Sequence, residues 1–143
     1  MTKRFLMILV MVLLWSGSVK SDAMSDFIFT NLQQDFSDCY AYYKISEEGV
    51  KRSKSNTKDN AVPKLVEAVE RSLLGAAEVG GFINMKQEAM TARIQLALKD
   101  LGNQMGSDYV NISILIVRYG DMCNDLINDP KNRTEYWRSK FKD

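Results

Sequence analysis

Two cysteines, each accompanied by a pair of aspartates, are the residues of this 143-residue chain with the clearest chemical potential. Asp35 and Asp38 precede Cys39, while Asp121 and Asp125 bracket Cys123 one helical turn apart. Two carboxylates held about 5–10 Å apart can act as acid and base on a glycosidic bond, and four such groups supply oxygens for Ca²⁺ or Mg²⁺. The competing reading is four solvated side chains beside a buried stripe, because aspartates rarely go inside unpaired. The sulfurs offer either a disulfide or two buried thiols acting as small apolar residues. A catalytic thiolate lacks its usual activator, since the chain contains no histidine.

The missing histidines also remove the His-dependent nucleophile systems and the imidazole-ligated zinc and haem sites. Two cysteines cannot complete a four-thiolate metal centre, and neither of the glycine-rich phosphate-binding loops occurs. No cofactor and no metal are therefore expected, and enzymatic chemistry would have to rest on carboxylates, Lys or Tyr.

Tyr40, Tyr42, Tyr43 and Tyr119 cluster around the cysteines in the sequence pattern. Rings with a hydroxyl can line a ligand groove, or they can cap a core with the hydroxyl reaching water. Arg118 and Asn111 interrupt an otherwise apolar stretch, either paired inside or facing a site. The tail carries Lys131, Arg133, Tyr136, Trp137, Arg138, Lys140, Phe141 and Lys142. A basic segment with aromatics one turn apart can touch an anionic membrane or a partner, or its Trp137 and Phe141 can pack back on the domain. The candidate ligand or partner surface thus comprises Tyr40, Tyr42, Tyr43, Arg118, Tyr119 and Trp137. The basic run 51–58 has no interleaved aromatics, so nucleic acid is not an expected partner.

Helical spacing positions these groups. From about Asp26 to Val50, Phe29, Leu32, Phe36, Cys39, Tyr43 and Val50 form one stripe, which implies a partner helix. A second helix is predicted from Asp59 to Val79, with Pro63 tolerated in its first turn and Gly80-Gly81 supplying a positive-φ stop. Asn84 and Gln87 read as a capping box for a third helix through Leu101. Gly102 and Gly106 mark a turn or a kink. A fourth helix carries Ile112, Leu115, Tyr119, Cys123 and Leu126, with an Ile-Leu-Ile-Val run that predicts burial on more than one side. Asp129-Pro130 opens a last short helix to about Lys140. The expected fold is all-α: an antiparallel bundle of about four main helices plus a short C-terminal helix. Both cysteines fall on inward stripes, so a Cys39–Cys123 disulfide is expected in an oxidising compartment.

That compartment follows from the N-terminus. Lys3 and Arg4 precede eleven apolar residues, Phe5 to Trp15, and then small and polar residues. The order is that of a secretory signal, and the run is short for a membrane span, which needs about 20 apolar residues. Cleavage is expected after Ser21, or as late as Ala23, leaving 22–143 as a single helical domain; an uncleaved anchor is the alternative. Removing the first 21 residues leaves 122, and takes three of the 19 cations and none of the 18 anions. The mature chain is near neutral, which argues against nucleic acid.

The series Asp38-Cys39-Tyr40-Ala41-Tyr42-Tyr43, Asn111-Ile112-Ser113, Tyr119, Cys123 and Asp129-Pro130 with Arg133, Tyr136 and Trp137 resembles a set of small exported proteins encoded in bacterial and bacteriophage genomes. The resemblance implies a periplasmic setting and a paired cysteine, and it brings no activity with it. The expected role is a non-enzymatic binding protein of the cell envelope, periplasmic or secreted, whose partner is an envelope protein or cell-surface component. A carboxylate-dependent cell-wall hydrolase and a membrane-anchored phage accessory protein acting in lysis or exclusion are the alternatives.

Overall fold

Among the described residues every other helix packs on one, α1, which runs Val19–Arg52 and is about 50 Å long. The computed structural model describes residues 19–54 and 58–142. The basic head and apolar run of the expected signal lie outside the described residues. Helix α1 begins at Val19 rather than near Asp26, so both expected cut points fall within its first two turns. Its 34 residues include no proline and a single glycine, Gly49. Asp22 in the first turn and Lys51 and Arg52 in the last complement the helix dipole.

Burial on α1 is wider than one stripe. Ile28, Leu32, Phe36, Cys39 and Tyr43 are buried, and so are Ala41, Tyr42, Ile45 and the polar Gln33, Asp35, Ser37 and Glu47. A helix with one partner has one dry face, whereas α1 has neighbours on several sides and is dry around much of its girth.

Helix α2, Lys58–Phe82, returns antiparallel. The Phe29 and Phe82 rings lie 5.2 Å apart, Phe36 meets Gly75, and Tyr43 shares a cleft with Ala68. As one number climbs by seven the other falls by seven, so the two helices keep register over two full heptads. Gly75 permits the contact: a Cβ there would lie 2.4 Å from the Phe36 ring. Helix α3, Gln87–Gln104, runs the same way as α1; Arg93 reaches the Thr30 carbonyl and Gln33, and Asp100 acts on Asp38. Helices α4, Ser113–Asn128, and α5, Lys131–Lys140, together retrace α1 from its end to its start. Arg52 stacks on Tyr109, Tyr42 faces Tyr119, Cys39 joins Cys123, Asp35 meets Arg133 and Phe27 meets Phe141. The described residues form an all-α bundle of four main helices and a short C-terminal one, with a single 3-10 turn at Tyr109–Asn111 and no strand.

The turns differ from expectation in instructive ways. Helix α2 runs through Gly80-Gly81 to Phe82, and the left-handed residue is Asn84, with φ 51°. The Met85 N–H donates to the Gly80 carbonyl at 2.9 Å and the Asn84 N–H to that of Gly81 at 3.2 Å, the two bonds of a Schellman closure. Asn84 therefore ends α2 instead of capping α3; the residue before α3 is Lys86, which makes no side-chain cap. The choice between turn and kink after α3 resolves to a second Schellman turn, with Gly106 at φ 63°. Pro63 is the sixth residue of α2, one turn further in than expected. The carbonyl it leaves unbonded belongs to Asp59, which is exposed to water. Asp129 accepts the Lys131 N–H at 3.1 Å, and Pro130 stands one residue ahead of α5 instead of at its first position.

Candidate functional site

The two sulfurs meet in the centre of the bundle. Cys39 and Cys123 are both fully buried and joined as a disulfide, with Cα atoms 5.3 Å apart. Met122 Sδ lies 3.8 Å from Cys39 Sγ, so the bridge is packed among apolar groups. It links α1 to α4 across 84 residues of sequence.

The carboxylates of the sequence pattern divide into three environments. Asp35 is buried and neutralised: Arg133 donates from Nε at 2.7 Å and from Nη2 at 3.1 Å, and Trp137 Nε1 donates at 2.5 Å. Burial opposes the Arg133 charge, but the Asp35 contact outweighs it and raises that guanidinium above its ordinary value. Asp38 is half-buried. Burial pushes its carboxyl above the usual carboxylate range against a 2.9 Å hydrogen bond from Gln34, and the charges of Asp35 and Asp100 push the same way as burial. Asp121 and Asp125 are exposed on α4. Among the described residues no group of three or more acidic or cysteine side chains is arranged to hold a metal ion.

The tyrosines come together beside the bridge. Tyr42 and Tyr43 are buried with ring centroids 4.9 Å apart, and Tyr42 stacks on Tyr119 at 6.4 Å. Burial pushes the Tyr43 hydroxyl up to about 12, Tyr42 adding to the shift and Arg71 opposing it. Burial also raises Tyr42. The Tyr119 hydroxyl accepts from Gln104 at 3.1 Å, and Arg118, exposed on α4, donates to the same Gln104 at 3.2 Å. Tyr40 is half-buried next to Cys39. Trp137 is half-buried, edge-on to Phe27 at 6.1 Å, so the aromatic side of the tail is turned toward α1. Asn111 lies in the 3-10 turn, exposed, with its amide on the Met105 carbonyl.

Two features escaped the residue pattern. The first is a shallow cleft of about 270 Å³ between α2 and α4, floored by Tyr43 and edged by Lys64, Arg71 and Asn124. Arg71 spans it, donating to the Ile127 carbonyl at 2.6 Å. The second is an uncovered apolar surface. The fourth helix is not buried on more than one side: Leu115, Cys123 and Leu126 are buried, while Ile114, Ile116 and Val117 are 46, 50 and 89 % exposed. Val110, just before the helix, is 84 % exposed. Spacing marks a helix as apolar on two sides without showing whether a neighbour exists for the second.

Among the described residues no helix is long and apolar enough to cross a membrane. No protein-family model, no curated protein and no solved structure matches the chain.

Proposed function

We propose that this chain is a small exported protein of the bacterial envelope, akin to those of bacterial and phage genomes, and that it works as a non-enzymatic binding module. The observation that carries this reading is the uncovered apolar face at Val110, Ile114 and Val117. Apolar side chains left exposed together on one surface are characteristic of interaction sites. Elsewhere in the bundle the groups most able to do chemistry have structural partners: the thiols are joined, Asp35 is ion-paired, and Tyr42 and Tyr43 lie in the core. The buried disulfide supports an oxidising compartment.

The test is expression of the whole chain in a bacterial host with a photo-crosslinking residue at Val117 or, as control, at Thr91. The expected outcome is a periplasmic product lacking its first 21 to 23 residues, with an envelope adduct at position 117 and none at 91. A cytosolic, full-length product whose gel mobility ignores reductant sinks the proposal. Retention of Met1 in a membrane fraction would favour the anchored phage accessory protein instead. The hydrolase reading rests on Asp38, whose raised carboxyl lies beside the charge of Asp35. Zymography of the purified protein on cell-wall material, with Asp38→Asn as control, decides it.

A further inference from the structure

We infer that the cleft between α2 and α4 is a binding site for a small organic anion, a monocarboxylate with an apolar body. The site is separate from the bare face of α4 that carries the binding-module reading. Its floor is Tyr43, which is only 7 % exposed. The Tyr43 hydroxyl has no hydrogen-bond partner among the described residues, yet it is not sealed from water and opens on the cleft. A phenol buried to this depth normally finds a partner. This one meets a space of about 270 Å³ instead. Burial, with Tyr42 alongside, keeps it a neutral donor until pH approaches about 12. The hydroxyl is therefore a fixed donor turned toward an acceptor from outside the chain.

The rim supplies the charge. Lys64 is exposed on α2 and makes no ion pair or hydrogen bond among the described residues. Arg71, two turns further along α2, donates to the Ile127 carbonyl at 2.6 Å and to Asn128 Oδ1 at 3.4 Å. Those bonds hold its guanidinium in place, and its charge is felt at the Tyr43 hydroxyl. Asn124 on α4 accepts from the Asn128 amide at 3.2 Å through Oδ1, which leaves its own amide N–H groups to donate. Glu67 is the single acid among the described residues lining the cleft, and it lies 4.0 Å from Arg71. Two cations against one carboxylate leave a surplus of one positive charge, which complements a singly charged ligand better than a phosphate dianion. The remaining wall is apolar, from Leu65, Ala68 and Ile127. A few convergent polar groups over an apolar wall are the usual make-up of a small-molecule site. At about 30 Å³ per water, a space of about 270 Å³ holds about nine, so its occupant is a compact molecule.

Titration of the purified, disulfide-bonded protein with benzoate, followed by backbone amide chemical shifts, tests the inference. Benzamide and inorganic phosphate are the neutral and the more highly charged comparisons. The expected result is saturable benzoate binding with a dissociation constant on the order of 1 mM, the range open to so small a ligand. The shifts should centre on Ala68, Arg71 and Asn124 and leave Thr91 on α3 unmoved. Benzamide and phosphate should bind several-fold more weakly or not at all. Tyr43→Phe keeps the ring and loses only the hydroxyl, and should weaken benzoate about tenfold. Lys64→Gln should weaken it several-fold, a smaller effect because Lys64 is exposed. Arg118→Gln, exposed on α4 outside the cleft, should leave binding unchanged. Unaltered thermal melting shows that each variant is folded. No saturation by about 10 mM, or benzamide or phosphate bound as tightly as benzoate, overturns the proposal. So do shifts centred away from the cleft, or full benzoate affinity in both Tyr43→Phe and Lys64→Gln.

Discussion

Arg133 neutralises a buried aspartate 98 residues away, so its removal should cost far more than the loss of a surface ion pair. Arg133→Ala strands the Asp35 carboxylate, which is 5 % exposed, and is expected to destabilise the fold by about 2–4 kcal/mol in denaturant titration. Asp35→Asn with Arg133→Met should recover much of that loss, because an unpaired charge no longer remains inside. Tyr43 predicts a pH response. Its hydroxyl is neutral in the fold and titrates near 12, above the ordinary value near 10. Stability from the neutral form is therefore complete below pH about 10 and lost as pH climbs toward 12. Comparing tyrosinate absorbance of the wild type with Tyr43→Phe should isolate one late-titrating ring. Asp38 runs in the same sense, lower on the pH scale: its carboxyl is raised, so its ionised form burdens the fold at neutral pH and is relieved as pH falls through the folded-state value. Asp38→Asn should raise the neutral-pH denaturation midpoint and flatten its acid dependence.

The pairing of α1 with α2 depends on a position where the helix-forming tendency of the residue is poor. Glycine in a helix interior is about 1 kcal/mol worse than alanine, yet a methyl group at Gly75 would stand 2.4 Å from the buried Phe36 ring. Gly75→Ala is expected to destabilise by about 1–2 kcal/mol net, the clash exceeding the propensity gain. Phe36→Leu should remove most of that penalty in a double-mutant cycle, since the shorter side chain vacates the space. Asn84 shows the same principle at a helix end. The positive φ that spacing assigns to Gly80-Gly81 falls at Asn84 instead, because Met85 folds back over Gly80 and completes the closure there. Asparagine tolerates the left-handed conformation well enough to take that position.

Across the molecule the bridge does for stability what the modest core of a small domain does not. The loop it closes spans 84 residues, for which the chain-entropy model gives about 4–5 kcal/mol, a large share of the 5–15 kcal/mol typical of a domain. Cys39→Ala with Cys123→Ala should lower unfolding free energy by about that amount, read from the denaturant midpoint. Two of the points where α4 and α5 are fastened to α1, the disulfide and the Asp35–Arg133–Trp137 cluster, lie close together along α1. Losing both should release the C-terminal arm before the α1–α2 pair, visible as earlier hydrogen exchange in residues 113–140.

Among the described residues periodicity marked the four main helices, the first from a start seven residues too late, and set Cys39 and Cys123 on facing stripes, because a repeat near 3.6 residues is a local property of the chain; the last helix was marked by Asp129-Pro130. The same locality explains what it missed. Asp35 reads as a surface or catalytic carboxylate until Arg133 and Trp137 arrive from the far end, and nothing near Asp35 in sequence specifies which cation reaches it. Ile114 and Val117 read as core on pattern, since apolar spacing records a preference for burial and not the presence of a covering neighbour. Folding joined the distant charges and left these aliphatic residues bare, for both outcomes depend on which helices become adjacent in space.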